Sequence, residues 1–458
     1  MSLDATAKPQ HYYSGLNQKL LQAIPADARH VLELGCANGL LGRRCKELNP
    51  QLRWWGVDIA PDAVAEAAQH LDRALLLDLD RDSLLELGQR FDTIVIGDLL
   101  EHLREPQRLL EALYDLGTHG ARIICCLPNS GHLSVLTRLL GGDLSYDAMG
   151  LLDRTHLRFY SPASAFKLFL DSGWLPDLVD AHRVEPPADA LTAHLVAAAE
   201  QLGVPAGTTL NQLGLYQMII VARKWSMQAL LAGGPRAPFS VIVPVNRPWQ
   251  HELNIARSPG LQEVGADVVV VERAGSAAEA YALGAAQARH PWRILAHQDV
   301  YFPTGSGYAI AQQLGQLDAA GQTRWPAGFA GLCAHDGAGA AVSHTGMVID
   351  RQSLFDHPVG LPALSIDEFA VALHRDCAVG IDASLGWHLW ATDLCLQATA
   401  AHGAPVVPVL QAPLFHNSSN DYSLPDAFRV SADLLLAKHP ALQHIPTLCG
   451  LISRPAAA

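Results

Sequence analysis

The stretch 31–58, VLELGCANGLLGRRCKELNPQLRWWGVD, decides the fold of the first half of the chain. Val31, Leu32 and Leu34 give a short apolar run that predicts a buried strand, and GCANG at 35–39 predicts a tight turn. Apolar residues at helical spacing then predict a helix over 40–48, and a second strand at 54–57 ends at Asp58. A strand, glycine turn, helix and strand in this order predict two parallel strands joined by a crossover helix.

Two glycines in the turn and one acid beyond it indicate a nucleoside site. Gly35 and Gly39 lack Cβ atoms, so the backbone can bend sharply and a ligand can approach the start of the helix. Asp58 follows Gly35 by 23 residues, near the offset of roughly 20 at which an acid accepts hydrogen bonds from a ribose diol. The pattern Glu33-x-Gly35-x-x-x-Gly39 differs from the G-x-G-x-x-G that makes room for a pyrophosphate. Another Rossmann-like nucleotide site is the alternative.

Other strand ends of the first half carry further candidate residues. The apolar run 74–77 is followed by Asp78, which can accept a hydrogen bond from an adenine amino group. The run 91–96 ends at the same edge of the predicted sheet, and ligands of open parallel sheets bind beyond the carboxyl ends of the strands. The candidates at these strand ends are Cys36, Ile59, Asp78, Leu79, Asp98 and Leu99.

Composition limits the classes of function. A length of 458 residues suggests two or three domains, and a hydrophobic content of 49% excludes general disorder. The chain has 32 basic and 45 acidic residues, a net charge of −13, which argues against nucleic acid or an anionic membrane as the main partner. Small or neutral substrates fit this composition better.

The cysteine pattern and the apolar runs predict a cytoplasmic protein. The eight cysteines are scattered without a C-x-x-C motif, which is typical of reduced thiols. No apolar run reaches about 18 residues, and the first residues lack the apolar core of a signal peptide. We therefore expect no transmembrane segment, while peripheral membrane contact stays open.

Five motifs of the first half occur in the order and spacing of a known enzyme family. They are Glu33-Leu34-Gly35-Cys36, Phe91-Asp92, Asp98-Leu99-Leu100-Glu101-His102, Leu127-Pro128-Asn129 and His156-Leu157-Arg158-Phe159-Tyr160. With them, residues 1–225 resemble class I S-adenosylmethionine-dependent methyltransferases, similar to the ubiquinone-biosynthesis O-methyltransferases. The resemblance implies a Rossmann-like, seven-stranded sheet that ends with strands at 178–184 and 215–223. It also implies S-adenosylmethionine as the cofactor, covered by Tyr12 or Tyr13; packing of both tyrosines on the core is the alternative.

Methyl transfer to oxygen is an in-line displacement from a sulfonium, so the protein mainly has to position the acceptor. A base helps, because a neutral hydroxyl is a poor nucleophile. His156 is the candidate base, with Asp153 three residues earlier to orient it. A structural histidine is the alternative at this position. We expect Glu101 and His102 to cap and pack the helix that follows them.

A change of composition separates the two halves of the chain. Residues 226–238, SMQALLAGGPRAP, have no strand character and predict a linker. An apolar strand restarts at 239–245, a second strand ends at Glu272, and a third, 292–296, leads into His297-Gln298-Asp299. An acid at such a strand end suits a divalent cation on a nucleotide diphosphate.

Residues 239–458 resemble GT-A glycosyltransferases of the family 2 type, in a branch whose third strand ends His-Gln-Asp. The other anchors of this resemblance are Ser276 to Gly284, Gly328-Phe329-Ala330-Gly331, Asp367-Glu368, Gly386 to Trp390, Thr392 to Leu396 and His416-Asn417-Ser418. The resemblance implies a GT-A-like α/β domain that uses a nucleotide sugar donor and a divalent metal, Mn or Mg. By the same resemblance Pro244 and Glu272 contact the nucleoside, Asp299 and His416 hold the metal, and Asp393 is the general base.

Together the two resemblances imply a bifunctional enzyme of surface polysaccharide or glycoconjugate assembly. One half would transfer a sugar from a nucleotide donor, and the other would methylate a hydroxyl group of a small-molecule or glycan acceptor. In a second hypothesis, the methyltransferase is active and the C-terminal half is a nucleotide- or carbohydrate-binding module. In a third, the protein is a non-enzymatic assembly factor and both sites are relics.

Overall fold

The computed structural model describes residues 15–225, 233–334 and 342–454. The chain divides into two compact units, Met1–Ser226 and Met227–Ala458. Tyr12 and Tyr13, predicted to cover the cofactor, lie outside the described residues, as does most of the predicted linker, 226–232.

The first unit alternates strands and helices along most of its length. Its strands are β1 His30–Leu34, β2 Arg53–Asp58, β3 Arg73–Leu76, β4 Phe91–Gly97, β5 Gly117–Pro128, β6 Trp174–Arg183 and β7 Leu215–Lys224. Its helices are α1 Gln18–Ala23, α2 Leu40–Leu48, α3 Pro61–Ala67, α4 Pro106–Leu116, α5 Leu133–Leu140, α6 Pro162–Asp171, α7 Ala190–Gln201 and α8 Ala206–Gly214.

These seven strands form one sheet in the order β3-β2-β1-β4-β5-β7-β6. Strands β1 to β5 are parallel, whereas β7 is antiparallel to both of its neighbours. The predicted Rossmann-like, seven-stranded sheet is confirmed. Because the strand order reverses between β1 and β4, a crevice forms beyond their carboxyl ends, where open sheets bind their ligands.

The turn after β1 needs the glycines that the sequence supplies. Gly35 and Gly39 have φ angles of +71° and +77°, in the left-handed region that favours glycine. A Cβ atom on Gly39 would also lie 3.0 Å from Ala67 of α3. The backbone N–H groups of Gly35 and Cys36 donate to the carbonyl oxygen of Val57 at 2.8 and 3.0 Å. The turn is therefore fixed to the end of β2, beside Asp58.

The second unit contains two larger sheets and a hairpin. Its strands are β8 Phe239–Val245, β9 Asp267–Glu272, β10 Trp292–Ala296, β11 Val300–Tyr301, β12 Ala327–Gly328, β13 Ala330–Ala334, β14 Val342–Asp350, β15 Ser353–His357, β16 Ala363–Ile366, β17 Ala370–His374, β18 Leu414–His416, β19 His444–Thr447 and β20 Gly450–Ser453. Its helices are α9 Pro248–Leu253, α10 Pro259–Glu263, α11 Ala277–Ala285, α12 Ser306–Ala319, α13 Trp390–His402 and α14 Asp426–Lys438.

The first sheet of this unit has the order β12-β17-β10-β8-β9. Strands β9, β8 and β10 are parallel, while β17 is antiparallel to β10 and to β12. The second sheet has the order β11-β18-β14-β13-β16, with β15 paired to β14, and β19 and β20 form the hairpin. The unit is thus a mixed α/β structure, and its assignment to the GT-A class remains a prediction.

Two remaining features are the state of the cysteines and the length and polarity of the helices. All eight cysteines are free, and the buried ones are Cys36, Cys45, Cys125, Cys126, Cys333 and Cys395. Within the described ranges, no helix combines the length and the apolar character needed to cross a bilayer.

Candidate active site

A cavity of about 570 Å³ opens at the carboxyl ends of the parallel strands of the first unit. Its volume falls in the range of about 300–1,000 Å³ that is common for small-molecule sites. Most of the predicted residues of this half line it, namely Glu33, Gly35, Cys36, Asp58, Ile59, Asp78, Leu79, Asp98, Leu99, Asp153 and His156. Gly39 is not among the lining residues and instead packs against Ala67 of α3.

Asp58 lies at the end of β2 with its carboxylate held by backbone donors. The N–H of Ala37 donates to Oδ2 at 2.8 Å, and the N–H of Ala60 donates to Oδ1 at 2.9 Å. Each carboxylate oxygen can accept a further hydrogen bond. The side chain is thereby fixed in the cavity wall and can accept two hydroxyl groups of one ligand.

Glu33 lies deeper, at the base of the turn, and is only 6% exposed. The indole Nε1–H of Trp54 donates to its Oε2 at 2.8 Å. Burial nevertheless raises the pKa of Glu33 to about 8, and the nearby Asp58 carboxylate adds to the increase. A cationic ligand in the cavity would favour the ionised form of this carboxyl group.

Two further predicted acids lie at neighbouring strand ends. Asp98 has a φ angle of +47°, an unusual backbone conformation for a residue other than glycine. The side-chain amide of Gln217 donates to Asp98 Oδ1 at 2.7 Å. At the end of β3, Asp78 accepts from the N–H of Asp80 at 3.1 Å and lies 3.4 Å from the guanidinium of Arg81. Both acids keep the places in the cavity wall that the strand pattern predicts.

Several lining residues have no counterpart among the sequence predictions. Tyr216 and Gln217 come from β7, and Asn17 caps α1, where its side-chain oxygen accepts from the N–H of Leu20 at 3.1 Å. Asn17 could have been found from its place before a helix. Gln217 is 119 residues from Asp98, and no local signal connects the two.

His156 is oriented by a backbone carbonyl group. Its Nδ1 lies 3.1 Å from the carbonyl oxygen of Leu151. Since a carbonyl oxygen only accepts, Nδ1 carries a hydrogen in this contact. Asp153, which was predicted to orient this ring, is 2% exposed and accepts at Oδ1 from the N–H and the hydroxyl of Thr155 at 2.9 and 2.7 Å.

His102 meets His156 in the same wall of the cavity. Their ring centroids are 4.9 Å apart with an interplanar angle of 69°. Glu101, which is 1% exposed, joins them, and one potential ligand atom from each of the three residues lies within 4.8 Å of the other two. The expectation that Glu101 and His102 only cap and pack a helix misses this cluster, whose carboxylate and imidazoles are of the types that bind metal ions.

In the second unit, the predicted nucleoside and metal residues follow neighbouring parallel strands. Pro244 lies near the end of β8, Glu272 ends β9, and Asp299 follows β10 and is 7% exposed. His416 of β18 has its Nε2 3.5 Å from Asp299 Oδ1 and its Nδ1 2.9 Å from Asp350 Oδ1. The structure therefore brings Asp299 and His416 together.

His297, which was not predicted as a ligand, completes this cluster, and Asp350 contacts His416. Potential ligand atoms of His297, Asp299 and His416 lie within 4.8 Å of one another. Burial opposes a charge on His416, yet the carboxylates of Asp299 and Asp350 hold the pKa of its imidazole well above the usual value. The two carboxylates therefore favour the protonated form of this imidazole, with which a metal ion would compete.

Asp393 lies at the start of α13 and is 0% exposed. Its carboxylate accepts from Gln397 at 2.6 Å, from Lys438 at 2.7 Å and from His439 at 2.8 Å. A general base has to come within hydrogen-bond reach of its substrate. This geometry argues against the predicted base role and makes Asp393 the centre of a buried ion-pair network.

The comparisons with known proteins concern the first unit. Residues 32–123 match the family described as "Methyltransferase domain". A ubiquinone biosynthesis O-methyltransferase of Coxiella burnetii is 26% identical over 173 residues, which cover 37% of this chain and 73% of the relative. The protein of the same description from Cereibacter sphaeroides is 25% identical over 173 residues, covering 36% of this chain and 68% of the relative.

Among solved structures, an S-adenosylmethionine-dependent methyltransferase from Archaeoglobus fulgidus is 18% identical, with a TM-score of 0.33. The aligned region covers 47% of this chain and 97% of the Archaeoglobus fulgidus chain. The assignment of the first unit rests on the sequence match over residues 32–123 and on the observed strand order of its sheet. On these grounds, the first unit contains a class I S-adenosylmethionine-dependent methyltransferase domain.

Proposed function

We propose that the first unit methylates a hydroxyl oxygen of a small-molecule or glycan acceptor. The observation that carries the proposal is the cavity in which Asp58, the glycine turn and His156 meet. Similarity to O-methyltransferases of ubiquinone biosynthesis supports oxygen as the methylated atom.

The residues present fit S-adenosylmethionine. Asp58, fixed by the N–H groups of Ala37 and Ala60, has an unused lone pair on each oxygen for a ribose diol. Asp78 lies at the next strand end, where it can accept from an adenine amino group. The buried carboxyl of Glu33 lies in the same cavity, and a cationic ligand would favour its ionised form. When bound, S-adenosylmethionine supplies an electrophilic methyl group.

The protein's own residues position the acceptor and remove its proton. In the neutral imidazole of His156 the hydrogen lies on Nδ1, which donates to the Leu151 carbonyl oxygen, so Nε2 is the nitrogen that takes up a proton. An acceptor hydroxyl within hydrogen-bond reach of this nitrogen can transfer its proton to it as the oxygen is methylated. Asp153 holds Thr155 in the same loop and so supports the position of His156.

The test is the binding of S-adenosylmethionine to Asp58→Asn in the full chain, measured by isothermal titration calorimetry. A hydrogen bond to a charged group is worth about 1.5–3 kcal/mol, so loss of one should weaken binding roughly 10- to 150-fold. Asp62→Asn is the matched control, because Asp62 is an exposed acid in the first turn of α3. Equal affinity of Asp58→Asn and the unmodified chain would refute the assignment of the site.

For the second unit we propose the binding of a nucleotide sugar with a divalent cation and the transfer of its sugar. The cluster of His297, Asp299 and His416 beyond the parallel strands supports this function. The ion pairing of His416 and the burial of Asp393 favour the alternative of a nucleotide- or carbohydrate-binding module without catalysis. With both halves active, the protein would add a sugar and methylate a hydroxyl group during polysaccharide or glycoconjugate assembly.

Thermal stabilisation by Mn²⁺ with a panel of nucleotide sugars tests the second unit. A glycosyltransferase should be stabilised by one donor and should release the nucleoside diphosphate when an acceptor is added. Asp299→Asn should abolish both effects, whereas Asp433→Asn, an exposed substitution in α14, should abolish neither. Stabilisation without nucleotide release would indicate a binding module.

A further inference from the structure

We propose that two copies of this chain associate through β9, Asp267–Glu272, which pairs in antiparallel orientation with β9 of the second copy. β9 is the last strand in the order β12-β17-β10-β8-β9, so β8 occupies only one of its two sides. Among the described residues, no strand pairs with the other side. The backbone N–H and C=O groups of that side form an open sheet edge, to which a further strand can be added.

The side chains of β9 suit an additional neighbouring strand. Four valines, 268–271, fill the strand between its two terminal acids, and valine is among the residues that are most favoured in sheets. Val269 and Val271 are buried on one face, whereas Val268 and Val270 are 40% and 42% exposed on the other. Side chains on adjacent strands contact each other, so an added strand would cover part of the two exposed valines. Burial of this apolar surface favours the association.

The edge lacks the features that commonly keep sheet edges from pairing. Between Asp267 and Glu272 there is no proline, glycine or charged residue. The register of β9 with β8 runs from Ser240↔Asp267 to Val245↔Glu272 without a bulge. Sheet edges that stay unpaired usually carry a bulge, a proline or a charge within the strand. In β9 the charges lie only at the two ends.

The charges at these ends select a second copy of the chain as the occupant. At the start of β9, Nε of Arg289 donates to Asp267 Oδ1 at 2.9 Å, yet the Arg289 side chain is still 72% exposed. At the other end, Glu272 is an exposed acid. Antiparallel pairing of two identical strands brings the start of each strand beside the end of the other. Arg289 of each copy then meets Glu272 of the other, which gives two ion pairs related by a two-fold axis.

The contact leaves the candidate site of the second unit open in both copies. The group of His297, Asp299 and His416 follows the carboxyl ends of the parallel strands, and antiparallel pairing of β9 directs these ends of the two sheets in opposite directions. A carboxylate has two oxygen atoms, so the ion pair is compatible with the nucleoside contact that the resemblance implies for Glu272. The contact does not depend on whether the second unit transfers a sugar.

The size of the contact sets the expected affinity. Two strands of six residues bury less than the roughly 1,600 Å² of a standard protein interface. We therefore expect a weak, reversible dimer with a Kd on the order of micromolar. Because the two ion pairs lie at the surface, the dimer should weaken as the salt concentration rises.

The test is sedimentation equilibrium of the full chain over a range of protein and salt concentrations. Val270→Lys should weaken the dimer roughly tenfold or more, because it places two like charges close to the two-fold axis. The matched control is Val430→Lys, which makes the same change at a valine of α14 that is 60% exposed. The control should form the dimer as readily as the unmodified chain, and urea unfolding shows whether each variant is folded.

Hydrogen exchange of the unmodified chain locates the contact without any variant. Peptides that cover 267–272 should exchange more slowly at protein concentrations that favour the dimer than at those that favour the monomer. A chain that stays monomeric throughout the concentration range would overturn the proposal. A dimer without this added protection of β9, or one whose affinity is unchanged in folded Val270→Lys, would overturn it as well.

Discussion

Replacing Glu33 by glutamine should make the first unit more stable at alkaline pH. Glu33 is buried, and its pKa is raised from 4.5 to about 8. Glutamine keeps an oxygen that can accept from the Trp54 indole but cannot ionise. Folding of the unmodified protein therefore has to hold a buried acid protonated, and this requirement disappears in the variant.

The sign and the size of the effect follow from the two pKa values. Below pH 4.5 the group is protonated in both the folded and the unfolded chain, so its contribution to stability is fully present. As the pH rises towards about 8, only the unfolded chain loses the proton, and this contribution is lost. About 1.4 kcal/mol per pKa unit gives a ceiling of roughly 5 kcal/mol for the difference between pH 4.5 and pH 8.

Urea unfolding of the full chain, followed by hydrogen exchange of peptides from β1 and β2, reports the stability of the first unit. Burial also raises the pKa of Glu368 in the second unit to about 8, but this residue is the same in both proteins. The stability gain of Glu33→Gln should be small near pH 4.5 and grow towards pH 8. A gain that does not change with pH would refute the reasoning.

Two other predictions concern the ion-pair network around Asp393 in the second unit and the glycine turn at 35–39 in the first. Asp393→Ala should destabilise the second unit by about 1.5–3 kcal/mol, because Lys438 and His439 lose a buried partner while Lys438 keeps Asp382, and urea unfolding should show this without a change in S-adenosylmethionine affinity. An unchanged midpoint would contradict the ion-pair role. Gly39→Ala should cost about 1–2 kcal/mol through its φ angle of +77° alone, with a further cost from contact with Ala67. Its melting temperature should fall by more than that of the control Gly88→Ala, because Gly88 has a similar φ of +64° but no neighbour within 4 Å.

The sequence predicts those residues of the site that directly follow a recognisable strand. The turn at 35–39 and the acids Asp58 and Asp78 each follow an apolar run, so their places at strand ends can be derived from the strand pattern. The cluster of His102 and His156 depends on a loop that returns to the cavity after more than fifty residues, and the carbonyl groups that orient both rings leave no mark in the sequence.

The partners of Asp393 in the second unit also could not be predicted, because they are far from it in the sequence. Lys438 lies 45 residues further along the chain and His439 lies 46 residues further, on and just beyond α14. A motif that resembles a catalytic one carries no information about such distant partners. Whether an acid is exposed or enclosed is decided by tertiary packing, and only the structure shows that this carboxylate is enclosed.

The place of β7 between β5 and β6 has a consequence for synthesis on the ribosome. Strand β6 is made before β7, yet β7 is its neighbour in the sheet. A growing chain that has emerged only as far as Arg183 therefore contains β6 without its native neighbour. The amide of Gln217, which holds Asp98, arrives later still. Domains generally fold as they emerge, but here the cavity, which Tyr216 and Gln217 of β7 help to line, can be completed only after nearly the whole first unit has left the ribosome.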